Sequence, residues 1–291
     1  MEKIFDSVRE LDKRAEVTFN LKNGVLMEQA ARSMAERIRN FLFSRRLSLQ
    51  NMQRNAGQKN TRASSLSQIK SPLVQVICGS GDNGGDGFAL ARMLVDFCTV
   101  RVVSVKEPKS PLCKLQQDRL SLLGIPITDV LQEHCDVLVD AVFGTGIRGS
   151  LDSEMSALIE RMNAVQGYKI ACDIPSGLNE FGIPSPVAFH ADETCTMGAL
   201  KTALYADAAK DYTGDIRVCD LGLPRRCYEG ETDTFLLSVE DMKLPHRTVQ
   251  NTHKTSYGHG LFFCGEKTGA CMLAASAALR FGIGLVTIFG A

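Results

Sequence analysis

The hydrophobic positions change period along the chain, and each period predicts an element. Ile4, Val8, Leu11 and Ala15 recur at helical spacing with charges between them, and Leu26, Ala30, Met34, Ile38 and Leu42 repeat the pattern. Two amphipathic helices are therefore expected before the first strand. From residue 72 the pattern shifts to short apolar runs at 73–78 (LVQVIC), 99–105 (TVRVVSV), 136–142 (DVLVDAV), 168–174 (YKIACDI), 193–197 (ETCTM) and 215–219 (DIRVC). Helical patterns lie between most of them, at 88–97, 114–123, 152–165 and 199–209. Continuous apolar strands alternating with helices predict a mostly parallel sheet covered on both faces, an α/β/α class of fold.

Two stretches break this rhythm. Residues 45–71 carry Arg45, Arg46, Arg54, Lys59, Arg62 and Lys70 with no acidic residue and many Ser, Gln and Asn. No aromatic stands there to stack a base, so a solvated loop is expected rather than a nucleic-acid patch. Near residue 240 the strand–helix alternation stops. A polar linker is expected at 246–260, then a strand at LFFCG, a small-residue helix at 269–281 and a strand at GLVTI. The expected organisation is a domain over 1–240, followed by a linker and the incomplete start of a second domain over 241–291.

The chain has 291 residues, 33 basic and 33 acidic, and is 44% hydrophobic. That length supports a sizeable core, and the zero formal charge removes the global electrostatic argument for nucleic acid as a partner. The first sixteen residues mix acids and bases with no apolar segment after them, so no secretory signal is expected. Arg280 divides the apolar stretch 269–291 into halves of about 16 Å as helix, too short to span a bilayer, and no membrane partner is expected. The ten cysteines form no CxxC pair. They read as buried hydrophobes with reduced thiols, which suits a cytoplasmic location.

Candidate chemistry gathers at the ends of three strands. The run at 73–78 ends in Gly79-Ser-Gly-Asp-Asn-Gly-Gly-Asp-Gly87, where Gly79, Gly81 and Gly84 satisfy GxGxxG between a strand and a helix. With Glu107 as a ribose acid, that pattern alone would suggest an ordinary NAD dehydrogenase. Asp82 and Asp86 argue against it, since a pyrophosphate would meet two negative charges there. Such a loop suits hydroxyls, an amide or a cation better, and the bland alternative makes Asp86 a helix cap. The run at 136–142 holds Asp140 and leads to Gly144-Thr145-Gly146-Ile147-Arg148-Gly149, a second loop able to wrap phosphates with backbone N–H groups. The run at 168–174 ends in Asp173-Ile-Pro-Ser-Gly177. In parallel sheets, ligands bind outside the carboxyl ends of strands, so Asp82, Asn83, Asp86, Asp140, Asp173 and Ser176 are expected on one edge. A hard cation held by oxygen atoms would relieve the repulsion among those carboxylates. The five histidines show no metal-ligand spacing.

RELDKRA and LMEQAA near the start, GSGDNGGDGFALAR, VDAVFGTGIRGSL, CDIPSGL and ADETCTMGALKTAL together resemble the NAD(P)H-hydrate epimerase family, the YjeF N-terminal domain, over roughly residues 5–235. Residues 253–288 are similar to the opening of the ADP-dependent dehydratase domain, ribokinase-like in fold, that bifunctional members of the family carry next. The rest of that domain is not in this sequence, so no dehydratase activity is expected from it. The resemblance implies a Rossmann-like fold, hydrated NADH or NADPH as substrate, a potassium ion, and interconversion of the R and S forms at C6 of the nicotinamide ring. By motif, Asp82, Asn83, Gly84, Gly85 and Asp86 would contact the substrate. Gly144, Thr145, Gly146, Ile147, Arg148, Gly149 and Ser150 would wrap its phosphates, and Asp173 would face the reacting end as general acid–base. Asn83, Asp140 and Ser176 would hold potassium (K+), and a homodimer is the assembly compatible with the resemblance. The family usually has Asn where this chain has Asp82, and LMENAG where it has Gln29 and Ala31. The added charge at Asp82 predicts weaker substrate binding. The competing expectation is a non-catalytic binding protein built on the same fold.

Overall fold

The computed structural model describes residues 1–55, 71–146, 149–243 and 248–290. Residues 2–236 form one compact body, and Leu237–Ala291 with Met1 form a second.

The first body opens with strand β1 (Glu2–Phe5), then helices α1 (Arg9–Phe19) and α2 (Asn23–Asn55). Ile4 therefore belongs to a strand and not to the first expected helix. Helix α2 runs on through residues 45–55, where a loop was expected. No Gly or Pro stands between Gly24 in the first turn and Gly57, so nothing local stops the helix. The remainder of the polar stretch, residues 56–70, lies outside the described residues.

Next come β2 (Leu73–Cys78), α3 (Asp82–Leu94), β3 (Thr99–Ser104), α4 (Pro111–Ser121), β4 (Ile127–Thr128), β5 (His134–Ala141), α5 (Ser153–Ala164), β6 (Gln166–Cys172), β7 (Glu193–Met197), β8 (Leu200–Lys201), α6 (Lys210–Thr213), β9 (Asp215–Cys219), α7 (Arg225–Tyr228) and β10 (Phe235–Leu236). Local caps set several of these starts. Ser110 accepts the Cys113 N–H ahead of Pro111 in α4, and Asp152 accepts the Met155 N–H at α5. The single helix expected at 199–209 does not form. Leu200 and Lys201 pair with Ile4 and Phe5 of β1, and two 3₁₀ turns follow at Thr202–Tyr205 and Asp207–Ala209. Strand pairing to a segment nearly two hundred residues upstream outweighs the local helical spacing.

Seven strands form one parallel sheet in the order β4-β3-β2-β5-β6-β7-β9. A small sheet, β10-β1-β8, stands beside it. Alternate residues of β2 serve opposite faces, as strand geometry requires. Val74, Val76 and Cys78 pack with Met34 and Ile38 of α2 and with Phe88 and Leu90 of α3, while Ile77 packs with Ile159 and Met162 of α5. The result is a three-layer α/β/α fold of Rossmann-like type. From β2 the chain first builds outward through β3 and β4, then returns to lay β5 on the other side of β2. The edge beyond β2 and β5 is thus the switch point where parallel sheets place ligands.

The second body contains β11 (His259–Phe263), α8 (Thr268–Phe281) and β12 (Leu285–Phe289), with the two strands parallel. This matches the strand, helix and strand expected there. Cys264 and Cys271 are paired, Cα atoms 5.6 Å apart, which corrects the expectation that every thiol stands alone. No helix among the described residues is long and apolar enough to cross a membrane.

Candidate functional site at the carboxyl edge of the sheet

The glycine-rich stretch after β2 is mostly helix. Helix α3 begins at Asp82 with Gly81 as its N-cap, so Asp86 is an interior helical residue and not a cap. The glycines serve close approach. A Cβ on Gly84 would lie 1.9 Å from the Gly79 carbonyl oxygen, and one on Gly79 would lie 1.9 Å from that of Val142. Only bare backbone lets α3 settle this tightly on the ends of β2 and β5. No side chain caps α3, which leaves its first N–H groups open toward the edge. Asp82 lies exposed in that first turn.

Asp140, near the end of β5, is fully buried. Its Oδ2 accepts the Ser176 N–H at 2.7 Å, and its Oδ1 accepts the Ser176 hydroxyl at 2.6 Å and the Val142 N–H at 3.1 Å. Ser176 Oγ in turn accepts the Phe143 N–H at 2.9 Å. Asp140 and Ser176 therefore tie the loop after β5 to the turn after β6. Burial pushes the Asp140 carboxyl up to about 6, against the opposing effect of the Ser176 hydrogen bonds.

Asp173, directly after β6, is almost wholly buried and has a left-handed backbone with φ of 72°. A non-glycine residue there is strained and must be held by its surroundings. Its N–H donates to the Cys195 carbonyl at 2.8 Å. Its Oδ1 accepts the Met197 N–H at 3.1 Å and the Lys201 ammonium at 2.7 Å. Its Oδ2 faces the other way. A Cβ placed on Gly144 would lie 3.1 Å from Asp173 Oδ2 and 3.4 Å from Asn83 Oδ1. Gly144 thus keeps open the space in which Asn83 and Asp173 meet. The Asn83 side-chain Nδ2 is buried and makes no hydrogen bond among the described residues.

The edge is densely acidic. Burial, then the charges of Asp173 and Asp82, push the half-buried Asp86 carboxyl well above the usual range. Asp12 of α1, within electrostatic reach of Lys201 and Asp173, is also pushed up by burial, against the hydrogen bond that it accepts from Tyr228 at 2.7 Å. Gly144 and Thr145 also line a cavity of about 250 Å³ with Asp6, Arg9, Ile174 and Asn179. Gly149 has a left-handed φ of 82°, and it and Ser150 are exposed. Ile147 and Arg148 lie outside the described residues. Glu107 is exposed beyond the end of β3.

The sequence reading missed Lys201, Asp12 and Tyr228. The motifs RELDKRA and ADETCTMGALKTAL contain Asp12 and Lys201, but neither residue signals its role without its distant partner. Among the described residues no group of three or more His, Cys, Asp or Glu is arranged to hold a metal ion. The donors at this edge are instead carbonyl, hydroxyl and carboxylate oxygens.

A buried polar switch point with an open helix N-terminus, two glycine-containing loops and convergent carboxylates is the edge at which parallel α/β proteins place their ligands. Residues 23–203 match the family of YjeF-related protein N-terminus domains, and the chain belongs to that family. It is 40% identical to the bifunctional NAD(P)H-hydrate repair enzyme Nnr of Helicobacter pylori, over 98% of this chain and 56% of that protein. It is 33% identical to the enzyme of the same name from Archaeoglobus fulgidus, over 74% of this chain and 45% of that protein. The chain thus spans about half the length of these curated relatives. The crystal structure of yeast ynu0 shares the fold, with a TM-score of 0.52 and 20% identity over 72% of this chain and 86% of that one.

Proposed function

We propose that this chain interconverts the R and S epimers of hydrated NADH and NADPH, an isomerase step in nicotinamide nucleotide repair. The observation that carries the reading is the meeting of Asn83 and the outward oxygen of Asp173 across Gly144, in a chain of this family. The names of the relatives support the substrate class.

The reacting carbon, C6, bears both a hydroxyl and the ring nitrogen. Its configuration is lost when either bond breaks, giving an iminium or a ring-opened species. Asp173 is the general acid–base of this step. As the C6–N1 bond breaks, its electron pair goes to N1 and the C6 hydroxyl becomes a carbonyl; Oδ2 takes the hydroxyl proton and passes it to N1, and the reverse transfers close the ring on the other face. The N–H groups at the start of α3 and those of residues 144–150 hold the phosphates. Residues 82–86 line the substrate, with Asp82 adding a charge that weakens phosphate binding.

The oxygen donors fit a potassium ion. Asn83 has a side-chain Nδ2 without a hydrogen-bond partner among the described residues, which leaves its amide free to turn its oxygen to an ion, and Asp140, Ser176 Oγ and the Phe143 carbonyl cluster at the same edge, the last 3.4 Å from Ser176 Oγ. A carboxylate offers about four acceptor sites and a hydroxyl two, so both Asp140 and Ser176 retain acceptor capacity. Asn83, Asp140 and Ser176 would hold the ion, which supplies a fixed positive charge among the carboxylates when bound. The same reading places the protein in the cytoplasm and makes a homodimer the assembly to test. It also takes residues 241–291 as linker and opening of a dehydratase-type domain.

The test is chromatographic. Purified protein is given the R hydrate of NADPH in potassium buffer, and appearance of the S form is followed against the spontaneous rate. Clear acceleration is expected. A folded sample that adds nothing to the spontaneous rate would overturn the proposal and leave a binding protein on the same fold.

A further inference from the structure

Lys201 has one of the most deeply buried side chains in the molecule, and it is a cation. It sits in the two-residue strand β8, held there by pairing with Phe5 of β1. Its Nζ donates to Asp173 Oδ1 at 2.7 Å, to Thr196 Oγ1 at 2.7 Å and to the Met197 carbonyl at 3.2 Å. An ammonium has three N–H donors and no acceptor. All three directions around the nitrogen are filled by the protein, so this lysine is spent on holding its neighbours and has none left for a ligand.

The partners of Asp173 explain what the lysine does there. Three anchors hold its left-handed backbone and its carboxylate: the Cys195 carbonyl, the Met197 N–H and the Lys201 ammonium. All three come from the segment 195–201. Two of them converge on Oδ1, which fixes the rotation of the carboxylate and turns Oδ2 toward Gly144 and Asn83. Asp86 and Asp12 lie within electrostatic reach of Asp173, and Lys201 acts on Asp12 as well.

We infer that Lys201 is a positioning residue of the catalytic site, which occupies Oδ1 of Asp173 so that Oδ2 alone is presented, as a carboxylate oxygen, to the reacting carbon. The inference rests on the epimerase reading and adds to it a residue that acts through Asp173 without touching substrate. It also gives the N-terminal strand a part in the site, because β1 holds the strand that carries the lysine.

The test compares Lys201→Met with a control at another buried ion pair. Arg37 makes two hydrogen bonds of 2.6 Å to the buried Glu193, at residues outside the proposed site. Arg37→Met therefore also strips a cation from a buried carboxylate in the same sheet. Steady-state kinetics with the R hydrate of NADPH are measured below the melting point of both variants. Lys201→Met is expected to lower kcat about 100-fold, the scale of a small misplacement at the reacting atoms. Its KM should stay within about threefold, the signature of an interaction used in the transition state. Arg37→Met should melt lower and keep its kcat. If Lys201→Met does not fold, Lys201→Arg carries the test, since a planar guanidinium cannot reach the same three acceptors. It should lower kcat about tenfold with KM retained. A kcat at the wild-type level in the folded lysine variant overturns the inference, as does an equal loss in Arg37→Met. Wild-type protein no faster than the spontaneous reaction is a separate outcome, which overturns the epimerase reading and the role of Lys201 together.

Discussion

Two buried aspartates end neighbouring strands of the same sheet, and they are held in opposite ways. Asp140, at the end of β5, accepts three hydrogen bonds from Ser176 and Val142, shared over both oxygens. Asp173, after β6, accepts side-chain hydrogen bonds on Oδ1 alone among the described residues and turns Oδ2 toward Asn83. Asp140 has an ordinary β-strand position, while Asp173 has a strained left-handed backbone. The contrast teaches how to tell a structural carboxylate from a chemical one when both are buried. Asp140 is tied to the chain through both oxygens with little acceptor capacity left over, and Asp173 is braced on one oxygen so that the other stays open.

The comparison makes predictions that can break it. Asp140→Ala leaves three buried donors of Ser176 and Val142 without their acceptor, and should cost about 3 kcal/mol or more of stability. Chemical denaturation measures it, and a variant as stable as wild type would dissolve the distinction. Ser176→Ala removes one donor to Asp140 and the acceptor of the Phe143 N–H. It should cost about 1–2 kcal/mol, less than Asp140→Ala, in the same measurement. The smallest effect is expected away from the edge, at Glu28. This residue joins α2 to α3 and α4 through Arg92, Gln116 and Arg119. Burial alone would raise its carboxyl, but the hydrogen bonds of Gln116 and Arg92 and the charge of Arg119 hold it below the ordinary value. A lowered carboxyl stabilises the fold above its unfolded-state value and loses that contribution as pH falls through the folded one. Glu28→Gln should therefore be less stable than wild type at pH 7 by about 1 kcal/mol or less. The gap should narrow as the pH falls below the ordinary glutamate range of about 4.5, and thermal melts from pH 7 downward check it.

Much of this was legible in the chain. The six long strands of the parallel sheet lie where short apolar runs predict them, because strands buried on both faces carry an unmistakable composition. The convergence of Asp82, Asn83, Asp140, Asp173 and Ser176 on one edge follows from parallel topology alone. What escaped depended on distant partners or on tolerance of poor local propensity. Ile4 fits a helical spacing with Val8, but Leu200 pairs with it and makes it a strand. Gly84, Gly85 and Gly87 are weak helix formers, yet α3 starts before them because Gly84 docks on Gly79, Gly85 on Met27 and Cys113, and Gly87 on Ala141 and Cys78, where no Cβ would fit. Lys201 reads locally as one more surface lysine. Its burial acquires meaning only when Asp173, twenty-eight residues earlier, is placed 2.7 Å away.

The most direct test of the account is Asp173→Asn, with epimerisation rate and melting temperature read on the same sample. The account predicts a loss of about 100-fold or more in the accelerated rate, because the amide cannot take the hydroxyl proton. The variant should remain folded, with its melting transition intact, since the amide keeps the shape of the carboxylate. Epimerisation at the wild-type rate by the folded variant would contradict it and move the chemistry to another group at the edge.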